Sequence, residues 1–144
     1  MIITNQPSDN FSHKELSCKC CGTLRTAEEF LDMLELTREL TGPLLGISGG
    51  RCLKHNSEIG GHEKSLHHID NPFHLGVPTI ALDVTLRRYD DSEKQRIYLV
   101  AQEKGLSCGL KENSIHLDGR TLIGFPQHTF LYGGYTPVWA EDML

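Results

Sequence analysis

Hydrophobic positions along the chain fall first into a helical rhythm. Phe30, Leu31 and Leu34, with Met33, Leu36 and Leu40, recur at spacings of three and four, while Glu28, Asp32, Glu35 and Glu39 take the other face. Thr26-Ala27-Glu28-Glu29 reads as a capping box, with the threonine hydroxyl and the Glu29 carboxylate each satisfying a first-turn amide, and Gly42-Pro43 ends the helix. A second helix is predicted from an N-cap at Asp91 or Ser92, along an apolar face of Ile97, Tyr98, Val100 and Ala101, to a stop at Gly105. Strands are predicted at Leu44 to Ser48, at Thr79 to Thr85 with Ile80, Leu82 and Val84 alternating, at Leu106 to Leu110 and at Ser114 to Asp118.

Helices and strands do not alternate regularly along the chain. That order predicts an α+β fold, a single domain over residues 1–144 with a small, largely antiparallel sheet packed by helices. A chain of 144 residues is long enough to bury one sizeable core without a disulfide staple. The Gly- and His-rich segment from Gly49 to Pro78 is too long for an idle connection, and loops of this length are usually functional or disordered.

Composition narrows the partners. With 14 Lys+Arg against 19 Asp+Glu, a formal charge of -5 and no block of like charges, the chain lacks the footprint of a nucleic-acid or anionic-membrane binder. No apolar run is long enough to span a bilayer, and the opening Met1-Ile2-Ile3-Thr4 has no basic region before an apolar one. The expectation is a protein made in the cytoplasm without an export signal. Glycine pairs at Gly49-Gly50 and Gly60-Gly61 lack the context of a phosphate-binding loop, so no nucleotide site is expected. Five cysteines, with Cys18, Cys20 and Cys21 crowded and Cys52 and Cys108 apart, do not have the spacing of a disulfide framework. The crowded three would need Cys52 or His13 to complete a metal site, and free reduced thiols are the expected state.

Eight histidines are many for this length, and five of them (His55, His62, His67, His68 and His74) lie in or just before the long loop. His67, together with Asp83 and His116 on predicted strands, offers two imidazoles and one carboxylate. Such a set leaves a fourth tetrahedral position open, as in a catalytic zinc site. On an extended strand His116 and Asp118 share a face, and Glu112 and Ser114 join them if the strand starts early, so a carboxylate is expected near the metal. His13, His62, His68 and His128 have no such context and are expected as ordinary surface or core residues.

The run Ser48-Gly49-Gly50-Arg51-Cys52-Leu53-Lys54-His55-Asn56, then Gly60-Gly61, Ser65-Leu66-His67, Ala81-Leu82-Asp83 and Ile115-His116-Leu117-Asp118 resembles the M15 metallopeptidases. That family includes zinc D-Ala-D-Ala carboxypeptidases and L-alanyl-D-glutamate endolysins. Asn10-Phe11-Ser12 and Glu15-Leu16 before the cysteines resemble the start of its phage-type members, so the likeness runs over most of residues 10 to 118, the cysteine-bearing segment of about 10–25 included. It implies a hedgehog/DD-peptidase-like fold, one Zn2+ held by His67, Asp83 and His116, and Arg51 clamping a substrate carboxylate beside Ser65. Asp118 or Glu112 would serve as general base.

Two departures from the family pattern leave alternatives open. His67 and Asp83 are sixteen residues apart where seven are usual, which implies an inserted loop from about His68 to Thr79 and makes His74 a rival ligand. Asn113 stands where many members carry an acid three residues before the last histidine. The resemblance implies a monomeric peptidase acting on peptidoglycan peptides, reaching the wall through lysis or a holin as a phage or prophage product. A non-catalytic zinc-containing module that binds such peptides is the alternative.

Overall fold

A computed structural model describes all of residues 1–144. The chain opens with a short strand β1 (Ile3–Thr4) and a single helical turn α1 (His13–Leu16), then pairs β2 (Thr26–Ala27) with β1. The helix α2 (Glu28–Thr41) follows directly. Next come β3 (Gly46–Ser48), the short helix α3 (Leu53–Glu58), β4 (Ala81–Thr85), the helix α4 (Asp91–Glu103), β5 (Ser107–Leu110), β6 (Ser114–Asp118) and β7 (Thr129–Leu131). Short 3-10 segments occupy Arg120–Ile123 and Val138–Met143.

The main sheet runs β3-β4-β6-β5-β7, antiparallel except for the β5–β7 pair at its edge. Both long helices pack on one side of it. Phe30, Leu34 and Ile97 join Leu82, Leu110, Ile115 and Leu117 in one core, from which water is excluded. The mixed α/β domain with a small, mostly antiparallel sheet is therefore as expected. No helix is long and apolar enough to cross a membrane.

Three local expectations are corrected. Thr26 does not cap α2: its hydroxyl donates to Thr79 O at 2.6 Å, and the Glu29 carboxylate accepts the Ile2 N–H at 2.9 Å. Both groups are taken by distant partners, and Ala27 precedes the helix with no side-chain cap. Capping boxes instead start α1, at Ser12 and Glu15, and α4, where the N-cap is Asp90 with Glu93 as its partner. Leu36 and Leu40 are 48% and 44% exposed, because the buried stripe of α2 runs through Phe30, Leu31, Leu34 and Thr37. The segment after Gly49 is no idle connection, as expected: it contains α3 and is then tied down by Asn71. That buried side chain accepts the amides of Phe73 and His74 and donates to Ser65 O.

Candidate metal centre

The sheet register sets the site. Asp83 in the middle of β4 lies directly opposite His116 of β6, so the two side chains emerge on the same face as a cross-strand pair. His67 arrives from the loop and is pinned by its backbone: its N–H donates to Ser65 Oγ at 3.1 Å, and its carbonyl accepts from Arg51 N at 2.8 Å and from the Thr79 hydroxyl at 3.1 Å. The strand-to-helix segment carrying Arg51 can lie this close because Gly49 and Gly50 have no side chains. A Cβ on Gly49 would stand 2.5 Å from Glu15 O and 2.8 Å from Leu16 Cα.

Three atoms converge from these elements. His67 Nε2 is 3.2 Å from Asp83 Oδ1 and 3.2 Å from His116 Nδ1, and His116 Nδ1 is 3.0 Å from Asp83 Oδ1. Donors sharing a tetrahedral zinc at bond lengths near 2.0–2.1 Å lie roughly 3.3 Å apart, so the triangle already has the right size. The outer nitrogens decide the tautomers. His67 Nδ1 faces Gly49 O at 2.8 Å, which can only accept, and His116 Nε2 faces the ionised Asp118 Oδ2 at 2.8 Å. Both outer nitrogens therefore carry protons, and when both imidazoles are neutral the inner ones turn lone pairs toward each other and toward a carboxylate. Three acceptors aimed at one point repel unless a cation lies among them, and this donor set suits zinc.

Without an ion, the local charges act differently on the three groups, and a proton on an inner nitrogen relieves the repulsion that a metal would otherwise remove. Burial pushes the His67 imidazole below its usual pKa, ahead of an opposing pull from Asp83, and so favours the neutral ligand form. Burial works against ionising Asp83, yet the hydrogen bonds and charges of His116 and His67 overcome it and hold the carboxyl well below the usual range. For His116 burial opposes charge, but hydrogen bonds to Asp118 and Asp83 outweigh it and raise the pKa.

A cavity of about 730 Å³ opens over the triangle. Arg51, Lys64, Lys111 and Arg120 line it, and its carboxylates are those of Asp83 and Asp118. Phe130 and Tyr132 alternate toward it from the end of β7. Gly109, facing His116 across β5 and β6, makes room for them: a Cβ there would sit 2.6 Å from the Phe130 ring and 2.9 Å from Tyr132 Oη. The Phe130 ring thereby rests 5.5 Å from the His116 ring and 5.3 Å from the Arg120 guanidinium.

A family model described as Peptidase M15 matches residues 9–118. The chain belongs to the peptidase M15 family. No curated protein and no solved structure gives a significant match. M15 members are zinc-dependent metallopeptidases, which places this chain among the hydrolases at the level of family and gives the triangle of His67, Asp83 and His116 its expected ion.

Other residues implied by the M15 likeness take up different positions. His74, the rival ligand, is on the cavity rim with its ring edge against Phe125, and does not join the triangle. Ser65 lines the cavity, and its hydroxyl proton remains available while its oxygen holds the turn at His67. Arg51 also lines the cavity, but much of its fork is engaged. Nη2 donates to Asp83 Oδ2 at 3.3 Å and to Ser48 Oγ at 3.1 Å, and Nη1 to Asn56 Oδ1 at 3.3 Å. Arg51 thus orients the outer oxygen of Asp83 and keeps part of one edge for a ligand.

Neither expected base is free to act as one. Asp118 is completely buried and accepts from His116 Nε2 and from the N–H, Nε and Nη2 of Arg120, which occupies its lone pairs. Burial opposes its ionisation, but the Arg120 and His116 hydrogen bonds bring its pKa down to about 2. Its place is behind His116, as the outer carboxylate of a carboxylate–histidine–metal arrangement. Glu112 is not in the cavity wall: its carboxylate accepts from Val138 N at 2.8 Å and fastens the C-terminal turn. Sequence reasoning missed Arg120, Gly109, Phe130 and Tyr132. Arg120 could have been found as the next member of the alternation His116, Asp118, Arg120, and the run Thr129-Phe130-Leu131-Tyr132 before Gly133 is a short strand signal that could have found the others on β7.

Proposed function

We propose that this M15 domain is a zinc-dependent peptidase that hydrolyses peptide bonds in bacterial cell-wall peptides, of the D-Ala-D-Ala carboxypeptidase or L-Ala-D-Glu endopeptidase type. The observation that carries the reading is the three-donor triangle, open on one side, at the floor of a cavity rich in cationic side chains. An acidic chain with a cationic cleft selects acidic ligands locally, and cell-wall peptides with free α-carboxylates and D-glutamate are of that kind. The chemistry a zinc ion supplies when bound is polarisation of the scissile carbonyl and a pKa near 7 for its water.

Residues of the chain complete the reaction around that chemistry. The remaining Nη1 proton of Arg51, with Lys64 and Lys111, holds substrate carboxylates. Burial and the nearby Asp83 push the Tyr132 hydroxyl up to about 12, so it stays protonated and serves as a donor to the oxygen on which charge develops. With Asp118 and Glu112 committed elsewhere, proton transfer falls to the rim imidazoles of His74 and His128, acting through water.

That same lack of a free carboxylate favours a second reading, in which the cavity binds wall peptides without cutting them. The test is incubation of the zinc-loaded protein with purified peptidoglycan and with peptides ending in D-Ala-D-Ala or containing L-Ala-D-Glu, following released amines. Cleavage that stops on chelation and returns with zinc supports the enzyme. Saturable binding with no new amine supports the binding module.

A further inference from the structure

We propose that Cys18, Cys20, Cys21 and Cys52 form a second metal site, a closed thiolate centre that binds a structural zinc ion independently of the His67–Asp83–His116 triangle. The sulfurs of Cys18, Cys21 and Cys52 all lie within 4.8 Å of one another. Thiolates sharing a tetrahedral zinc at about 2.3 Å stand roughly 3.8 Å apart, so only small side-chain adjustments separate this cluster from a bound geometry. Cys20, exposed and next to Cys21 in the chain, lies outside this group of three and supplies the fourth sulfur by turning its side chain inward.

The local backbone is shaped for such a site. Cys18 and Cys21 have the two-residue spacing of a metal knuckle, and Gly22 follows at φ +73, a left-handed conformation that glycine adopts without strain. Gly22 N–H donates to Cys18 O at 2.8 Å and Cys18 N–H to Thr23 O at 2.9 Å, closing a tight turn that puts both thiols on one side. Cys52 comes from a distant segment. Its backbone N–H donates to Cys18 Sγ at 3.3 Å, and the His55 N–H donates to Cys52 Sγ at 3.4 Å.

Simple packing does not account for these cysteines. Cys108 shows what a packing thiol looks like, fully buried on β5 within the core. By contrast Cys21 is exposed and Cys52 is half-buried, yet both gather around Cys18, with all five thiols free. All-sulfur ligation suits a soft, closed, four-coordinate ion, whereas the nitrogen and oxygen triangle under the cavity is open. The location also gives the ion a task. Cys52 follows Arg51, and Gly49 O holds His67 Nδ1, so an ion here would fix the 49–52 segment to the N-terminal turn and through it brace the cavity wall.

Metal analysis of protein purified under reductant tests this. About two equivalents of zinc are expected in the wild type and about one in His116→Ala, with Cys21→Ser and Cys52→Ser each losing the other equivalent. Cobalt(II) added to metal-free His116→Ala should give the sulfur-to-cobalt charge-transfer band, which the histidine centre cannot produce, so failure of this site and failure of the catalytic reading are distinguishable. Alkylation of the wild type gives a second measure that does not depend on the serine variants folding. Cys18, Cys20, Cys21 and Cys52 should react more than about tenfold faster after chelation than with zinc present. Absence of the charge-transfer band, equal alkylation with and without zinc, or a Cys20–Cys52 disulfide persisting in reductant would each overturn the proposal.

Discussion

Asp118 Oδ2 accepts the Nε2 proton of His116 at 2.8 Å from a position with no solvent contact, so the carboxylate on the same strand face supports the ligand instead of meeting the substrate. Asp118→Asn should therefore weaken zinc binding by about 10- to 100-fold, measured by competition with a chelating dye. Lost turnover with unchanged zinc affinity would instead return Asp118 to the role of base.

Glu112→Gln should leave zinc affinity and peptide turnover within about twofold of wild type, because that carboxylate bonds the backbone of Val138 and faces away from the cavity. A large loss of turnover in a normally folded Glu112→Gln protein would show that the C-terminal turn reports on catalysis.

The ligand set predicts different outcomes for two histidines of the same loop. His67→Ala should abolish zinc binding at the triangle, whereas His74→Ala should retain it, as read by metal content and by isothermal titration with zinc. The reverse result would mean that the loop rearranges on binding the ion.

Acid should destabilise the metal-free fold in a defined window. Asp118 has a folded pKa of about 2, below its unfolded value, so its contribution is fully present above the unfolded value and is lost as pH falls through the folded one. The shift corresponds to on the order of 2 kcal/mol between about pH 5 and 2, and Asp83, also depressed, acts with the same sign. Urea unfolding at a series of pH values checks this, and Asp118→Asn should flatten the slope.

Gly49→Ala is expected to cost at least about 1–3 kcal/mol in the zinc-free protein, because the new methyl meets backbone atoms of Glu15 and Leu16 that cannot swing away. Thermal unfolding measures the loss. Any movement of the Gly49 carbonyl would also release His67 Nδ1, so zinc affinity should fall with it.

The triangle was legible in sequence because strand alternation and short ordered motifs determine which side chains share a face, and Asp83 and His116 emerge as a cross-strand pair. The function of Asp118 was not. Alternation puts Asp118 beside His116 but does not say which ring nitrogen it meets, and that is settled by Arg120 closing over it from the following turn. Thr26 misled for a similar reason, since its hydroxyl found Thr79 across the fold before it found a helix amide. The β7 wall was missed because its strand-favouring run, Thr129 to Tyr132, is only four residues long, and its parallel partner β5 lies about twenty residues away in the chain.

The facing positions of Asp83 and His116 have a further effect on folding. A slip of one residue between β4 and β6 would send one ligand to the opposite side of the sheet and dismantle the ion's coordination. A zinc ion held by the triangle would thus bind only the correctly paired strands, and its binding free energy would be added to that pairing alone. The ion becomes a selector of strand register, and amide hydrogen exchange along β4 and β6 should slow when it binds.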